Sequence, residues 1–132
     1  MTISCSDLIG KPFQYDGRGP EFYDCYGLLS EMMQRTGKPP LPIEFAPQQD
    51  GLQGKDIASQ MLDQIQSTWR KIETPEIGCA LLFRIKMNNS HCGFYLGNDR
   101  FIHAWEGANT GVCIERLSTW SRRCKGFYEY VG

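Results

Sequence analysis

The sequence has few features that would direct it to a membrane, a nucleic acid or an oxidising compartment. It has no apolar run long enough to span a bilayer. Its N-terminus has neither the basic nor the apolar region of a secretory signal, and a formal net charge of −1 gives no preference for a polyanion. We therefore expect no nucleic-acid or membrane partner, and synthesis and folding in a cytoplasm.

The six cysteines lack the pattern of a disulfide or metal framework. Their spacing is irregular, and no Cys-x-x-Cys occurs. Cys79, Cys92 and Cys113 lie in apolar, strand-like runs, where a small buried thiol is the ordinary interpretation. The length of 132 residues suits one domain with a sizeable core, so we expect a single domain over residues 1–132.

Cys25 stands apart from the other cysteines because of what surrounds it. It follows a loop broken by glycine and proline, and it opens a predicted helix that runs to about Thr36. The unpaired N–H groups and the positive dipole at a helix N-terminus favour an anion. A neighbouring histidine strengthens this effect, and together they make a thiol into a thiolate nucleophile.

The chain has only two histidines, His91 and His103, and both fall in one predicted hairpin. Residues 97–99 read G-N-D, which is a turn signal between two strand-like runs. A two-residue turn would pair Phe94 with His103 and would place the histidines on opposite faces. A three-residue loop or a bulge would place them on one face. The sequence leaves this register open.

The remaining pattern predicts an α+β fold, with N-terminal helices packed on one face of a central antiparallel sheet. A short helical entry is expected at residues 6–10, and a long connection at about 39–54. A second helix is predicted from Lys55 to Lys71 because apolar residues recur along one face. Strands are predicted at residues 78–85, 91–96, 100–105, 111–117 and 126–131.

Three segments together resemble the NlpC-type cell-wall cysteine peptidases, a papain-like family. Residues 24–28 read D-C-Y-G-L and are similar to the D-C-S-G-L nucleophile motif, and residues 91–97 are similar to the H-x-G-x-Y-x-G strand. Residues 101–104, F-I-H-A, resemble the segment with the third catalytic position. Gly17 to Pro20, leading into the cysteine motif, looks most like the branch associated with phage tails.

The resemblance implies a cysteine peptidase that acts without a cofactor on peptidoglycan stem peptides, commonly between D-glutamate and a diamino acid. Cys25 would be the nucleophile, His91 the base and His103 the group that orients the base. Asp24 would lie near the site that holds the free amine of the stem peptide. A phage tail protein is a further expected partner, with the virion tail as the corresponding location.

Two departures from the family pattern concern the substrate pocket. Tyr26 stands where the family has serine, which makes the subsite bulkier. Phe13 stands where the family has tyrosine, so that a hydroxyl is missing unless Tyr15 supplies it. We therefore include Phe13, Tyr15, Asp24 and Tyr26 as substrate-binding candidates.

Three alternatives remain open at this point. The chain could be a structural tail or assembly protein that has lost turnover, or an acyltransferase that passes the same thioester to an amine or lipid. A zinc site is the third, with Cys25, His91, Cys92 and His103 as ligands. Adjacent strand residues point to opposite faces, which argues against zinc, and we expect no metal.

Overall fold

The computed structural model describes residues 3–14, 17–41, 69–85, 88–105 and 111–132, without the side chains of residues 85 and 88–90. In these residues one helix packs against a six-stranded antiparallel sheet. The strands are β1 (Trp69–Ile72), β2 (Ala80–Ile85), β3 (Asn88–Gly97), β4 (Arg100–Trp105), β5 (Gly111–Arg116) and β6 (Cys124–Tyr130), in the order β1-β6-β2-β3-β4-β5. The predicted α+β fold with a central antiparallel sheet is confirmed.

The helix α1 spans Cys25–Arg35, close to its predicted extent. Its apolar stripe is fully buried against β3 and β4, as expected for the inner face of an amphipathic helix. Its last turn ends at Thr36, where Gly37 continues the chain with a positive φ of 91°. No helix in the described ranges is long and apolar enough to cross a membrane.

The second helix, predicted from Lys55 to Lys71, is wrong at its C-terminal end. Trp69 to Ile72 form β1, which pairs antiparallel with β6 at the edge of the sheet. Trp69 and Ile72 also fit one stripe of a helix, but the open edge of β6 supplies a ladder of hydrogen bonds, and tertiary pairing of this kind overrides local periodicity. The rest of the predicted helix, and the connection from residue 42 onwards, lie outside the described residues.

The structure of the β3–β4 hairpin settles the strand register that the sequence left open. Phe94 pairs with Ile102 and Tyr95 with Phe101, and the register then shifts so that Gly97 faces Arg100. This irregularity places one extra residue on β3, which is a β-bulge. Gly97, Asn98 and Asp99 turn the chain with φ values of 92°, 54° and 64°. As a result His91 and His103 lie on the same face of the sheet.

Side chains of the central strands alternate between two buried clusters. The cluster on the helix side joins α1 to one face of the sheet, through residues such as Leu82, Cys92, Phe94 and Ile102. The cluster on the other face contains Leu81, Phe83, Phe101 and Trp120. Trp120 belongs to a short 3-10 helix, Leu117–Trp120. The aromatic cluster on this second face surrounds the two histidines.

Candidate active site

The N-terminus of α1 is held by Asp24 and by a loop that folds back on it. The Gly27 N–H donates to Oδ1 of Asp24 at 2.6 Å, so that the carboxylate caps the helix. The Asp24 N–H donates to the carbonyl of Gly17 at 3.0 Å. A Cβ atom on Gly27 would overlap that same carbonyl oxygen. Glycine at position 27 therefore allows the loop to pack directly against the first turn.

The predicted amine-binding residue, Asp24, is already paired within the protein. Arg18 donates from Nη1 to Oδ2 of Asp24 at 2.6 Å. The Arg18 guanidinium also lies over the ring of Tyr26, with Cζ at 5.6 Å from the ring centroid. Asp24 is only 1% exposed, so a substrate amine that binds this carboxylate has to compete with Arg18 or share it.

Cys25, the first residue of α1, is buried next to β3. Its thiol contacts Cys92, and this hydrogen-bonding contact, together with burial, raises the pKa of Cys92 well above its ordinary value. Cys92 follows His91 in the chain. All six cysteines are free thiols. The structure thus joins Cys25 to the strand of the histidines through Cys92.

The two histidines meet directly. Nε2 of His91 lies 2.6 Å from Nδ1 of His103, which is a short hydrogen bond. Both rings are buried, with 5% of His91 and none of His103 exposed. Burial, reinforced by the charge of His103, holds the pKa of His91 well below its ordinary value. The pair therefore favours neutral imidazole, the form that can accept a proton.

The hydrogen-bond chain continues beyond His103 to a residue that sequence patterns did not reveal. Nε2 of His103 lies 2.7 Å from Oε2 of Glu115, and Oε1 of Glu115 accepts from Nε1 of Trp120 at 3.1 Å. Burial lowers the pKa of His103 and outweighs the opposing effect of Glu115. Burial alone would raise the pKa of Glu115, but hydrogen bonds from Trp120 and His103 bring it below its ordinary value.

Two tryptophans enclose this chain of polar groups. The ring centroid of Trp120 lies 5.0 Å from that of His103 and 5.8 Å from that of His91, and the ring of Trp105 lies 5.5 Å from His91. Aromatic walls exclude water, and in a low-dielectric setting hydrogen bonds between the polar groups become stronger. Neither tryptophan was predicted as a site residue, because each reads as an ordinary apolar position.

One group in the described residues has the donor types of a metal site. A ring nitrogen of His103, Sγ of Cys113 and a carboxylate oxygen of Glu115 all lie within 4.8 Å of one another. The His103–Glu115 separation of 2.7 Å is already that of a hydrogen bond, and the Cys113 thiol donates to the same oxygen at 3.7 Å. These contacts are those of a hydrogen-bonded chain. The zinc set considered from sequence divides between the two faces of the sheet, since His91 and Cys92 are adjacent in β3.

The other substrate-binding candidates lie around the start of α1. Tyr26 is buried, and Phe13 is half-buried against the cluster on the helix side and bridges to Tyr23. Tyr15 lies outside the described residues. Tyr26 and Asp24 are therefore neighbours at the N-terminus of the helix, whereas a role for any of these residues in substrate binding stays a prediction.

A model of one known family matches residues 10–129, nearly the whole chain, and its description is the NlpC/P60 family. The chain belongs to the NlpC/P60 family. This membership confirms the resemblance inferred from residues 24–28, 91–97 and 101–104, and it agrees with the predicted class of enzyme, a cysteine peptidase.

Curated and solved relatives are consistent with NlpC/P60 membership. A Bacillus subtilis protein named "Probable peptidoglycan endopeptidase LytE" is 24% identical over 129 residues, which is 96% of this chain and 32% of the relative. An NlpC/P60 family protein from Bacillus cereus superposes with a TM-score of 0.64 at 18% identity, over 100% of this chain and 42% of the other. The NlpC/p60 domain of the peptidoglycan hydrolase SagA gives 0.59 at 18% identity, over 92% and 89%.

The solved NlpC/P60 structures share the fold of this chain. The chain spans about a third of the length of the Bacillus subtilis relative.

Proposed function

We propose that this NlpC/P60 chain is a cysteine peptidase that hydrolyses peptide bonds in peptidoglycan stem peptides. The observation that carries the proposal is the 2.6 Å hydrogen bond between Nε2 of His91 and Nδ1 of His103. Because this contact uses Nε2 of His91, Nδ1 is the ring nitrogen left to face a nucleophile. Family membership and the position of Cys25 at the start of α1 support the thiol as that nucleophile.

Cys25 contacts Cys92 on the helix side of β3, whereas His91 points to the other face of that strand. The proposed reaction therefore requires Nδ1 of His91 to reach the Cys25 sulfur past the strand, where it takes the thiol proton. The thiolate attacks the carbonyl carbon of the scissile bond, and the backbone N–H of Cys25 donates to the developing oxyanion. His91 then gives its proton to the leaving amine, which departs and leaves a thioester on Cys25. Water, deprotonated by His91, hydrolyses the thioester and releases the free acid.

His103 acts on the orientation of His91 in this scheme. Its Nδ1 holds the His91 ring by Nε2, and the tryptophan rings restrict both imidazoles. This is the role of the third member of a catalytic triad, which fixes the base and stabilises its charged form.

The finer part of the proposal concerns the substrate. We infer that the bond between D-glutamate and a diamino acid is cleaved in stem peptides with a free N-terminal amine. Asp24 is a buried carboxylate at the start of α1, one residue before the nucleophile, and charge-assisted hydrogen bonds to an ammonium group are strong. Arg18 shares this carboxylate, so amine binding has to rearrange or bridge the existing ion pair.

Asp24→Asn tests this substrate preference. Asparagine is as good a helix cap as aspartate, so the fold should persist, while the negative charge is lost. We expect the ratio of kcat/KM for free-amine over N-acetylated peptides to fall. Measuring both peptides with the wild-type protein and with Arg18→Gln provides the matched control. An unchanged ratio for Asp24→Asn would show that Asp24 does not select the amine.

The proposed hydrolysis is tested with defined stem peptides whose products are identified by mass. The wild-type protein should release two fragments with a free acid at the new C-terminus, and Cys25→Ala should release none. Adding a plain amine acceptor such as glycinamide distinguishes transfer, since an acyltransferase would give mainly the amide product and a hydrolase mainly the free acid. Absence of any cleavage by folded wild-type protein, across peptides and intact peptidoglycan, would contradict the proposal and favour a structural protein on the same fold.

We also propose association with a phage or prophage tail, after synthesis in a cytoplasm. Its support is the sequence from Gly17 to Pro20 that leads into the aromatic-rich cysteine motif. Mass spectrometry of purified tail particles from the source of the gene tests it, because a tail component should be present at a fixed ratio to the tail-tube protein.

A further inference from the structure

A carboxylate ends the hydrogen-bond chain that begins at His91. The chain runs from His91 to His103 at 2.6 Å, from His103 to Oε2 of Glu115 at 2.7 Å, and from Trp120 to Oε1 of Glu115 at 3.1 Å. Glu115 lies on β5, where Phe101 is its direct partner on β4 and His103 pairs with Cys113. The β4–β5 register thus places Glu115 diagonally beside His103.

The donors and acceptors in this chain can be ordered from one end. An indole N–H only donates, and an ionised carboxylate only accepts. Oε1 of Glu115 therefore accepts from Trp120, and Oε2 accepts a proton held on Nε2 of His103. A neutral His103 with its proton on Nε2 has a lone pair on Nδ1. His91 must then donate from Nε2, and its own Nδ1 is left as the acceptor.

We propose that Glu115 is a positioning residue for the peptidase reaction, which fixes both histidines in the Nε2–H tautomer and so leaves Nδ1 of His91 free to accept a proton. The proposal rests on the proposed function, because it assigns His91 as the base. When His91 takes a proton on Nδ1, its Nε2–H bond to His103 is unchanged. The His103 bond to Glu115 is also unchanged, and the nearby carboxylate stabilises the new positive charge.

Glu115→Gln is a sharp test because glutamine has one acceptor and one donor in place of two acceptors. The indole of Trp120 cannot change its role, so the amide oxygen should turn to Trp120 and the amide NH₂ to His103. Nε2 of His103 then becomes an acceptor, and its proton moves to Nδ1. His91 is forced to carry its proton on Nδ1, where it can no longer act as the base.

Trp120→Phe combined with Glu115→Gln supplies the complementary change. Without the indole N–H, the amide oxygen of the introduced glutamine is free to accept from Nε2 of His103, and the original order of donors is possible again. The double variant should therefore be more active than Glu115→Gln alone. A purely structural role for Glu115 predicts the opposite, since the double variant removes more buried contacts.

Nitrogen-15 spectra of the imidazoles read the tautomers directly, and the chain has only two histidines to assign. In the wild-type protein both rings should show a protonated Nε2, and Nδ1 of His103 should be unprotonated. In Glu115→Gln, both imidazole rings should carry their proton on Nδ1. In the double variant, the proton should return to Nε2 on both rings. Glu129→Gln is the matched control, because Glu129 is also on a strand, pairs with Arg70 and has a similar exposure of 26% against 32% for Glu115.

Turnover of a stem peptide should follow the tautomers. We expect Glu115→Gln to lower kcat by at least about tenfold, well short of the roughly ten-thousandfold loss known for the equivalent change in a serine protease triad. Glu115→Asp keeps an acceptor-only carboxylate on a shorter side chain and should retain the wild-type tautomers. It is the variant to measure if Glu115→Gln does not fold.

Two results would overturn the proposal. One is a wild-type spectrum in which Nε2 of either histidine is unprotonated or in which Nδ1 of His103 carries a proton. The other is a folded Glu115→Gln variant with unchanged tautomers and unchanged kcat. A wild-type protein that cleaves no stem peptide, but whose tautomers change as described, would refute the proposed function and leave the effect of Glu115 on the histidines established.

Discussion

At the scale of single residues, the centre of the candidate site is a pair of histidines that share one short hydrogen bond. The scarcity of histidine made both of them visible in the sequence, and the cysteine at the start of a helix was equally conspicuous. Glu115 was not, because it occupies an ordinary alternating position on β5, and its contact with His103 depends on the register of two strands. Trp105 and Trp120 were missed for the same reason.

The two histidines should differ in how well they tolerate substitution. His91→Ala removes the base and should lower kcat by about a hundred- to ten-thousandfold. His103→Asn should retain measurable activity, because the amide oxygen can stand in for Nδ1 and accept from His91. His103→Ala should retain less. Steady-state turnover of a stem peptide, divided by the folded fraction of each variant from circular dichroism, measures the effect.

If His103 only filled space among the aromatic rings, His103→Ala would reduce stability and leave the turnover of each folded molecule unchanged. A larger loss for His103→Asn than for His91→Ala would instead reverse the two roles.

At the scale of secondary-structure elements, the first turn of α1 packs closely against the loop that precedes it. Gly27 lies against the Gly17 carbonyl and donates to Asp24 at 2.6 Å. The sequence showed the helix and its first residue, since the apolar stripe and the following Gly37 mark both ends. It did not show that the preceding loop folds back to pair with Asp24, because that contact joins parts of the chain with no local pattern.

Gly27→Ala should destabilise the protein despite the better helix propensity of alanine. Because the added methyl overlaps a backbone oxygen, the loop has to move, and overpacking of this kind costs about 1–3 kcal/mol. Urea unfolding at pH 7.5 measures the change in the free energy of unfolding. Gln34→Ala, at an exposed position on the same helix, should change it by less than about 0.5 kcal/mol. Equal stability of the wild-type protein and Gly27→Ala would contradict the packing described here.

The strands were predicted better than their pairing. Four predicted strands lie within one or two residues of β2, β4, β5 and β6, because alternation and turn residues mark them. The bulge near Leu96, which brings the histidines to one face, depends on the geometry of the turn. β1 could not be predicted from its own residues, since its four positions become a strand only beside β6.

In the described part of the molecule, both faces of the central strands carry buried clusters, and the histidines are buried among them. Their folded pKa values are lower than the ordinary value of about 6.5 that they regain on unfolding. The unfolded chain therefore binds more protons than the folded one as the pH falls below about 6.5. By linkage, this stabilisation is present above that pH and is lost on acidification.

The free energy of unfolding should consequently decrease between pH 7.5 and pH 5.5, by up to about 1.4 kcal/mol per pH unit for each histidine below pH 6.5. Urea unfolding at several pH values measures it. The double variant His91→Gln, His103→Asn has no imidazole left and should show a flatter profile over this range. Carboxylates with lowered pKa values, such as Asp7 at about 2, act only in more acidic solution. Parallel profiles for both proteins would show that the histidines are not the source.

The most direct test of Cys25 as the nucleophile activated by His91 is site-resolved alkylation of the whole protein. Iodoacetamide is added at pH 7, and mass spectrometry follows the six cysteines separately, in the wild-type protein and in His91→Ala. We expect Cys25 to react first although it is only 6% exposed and Cys113 and Cys124 are more accessible. In His91→Ala, Cys25 should react no faster than Cys113. Faster labelling of Cys113 and Cys124 in the wild-type protein, or a rate for Cys25 that does not depend on His91, would contradict the proposed nucleophile and its base.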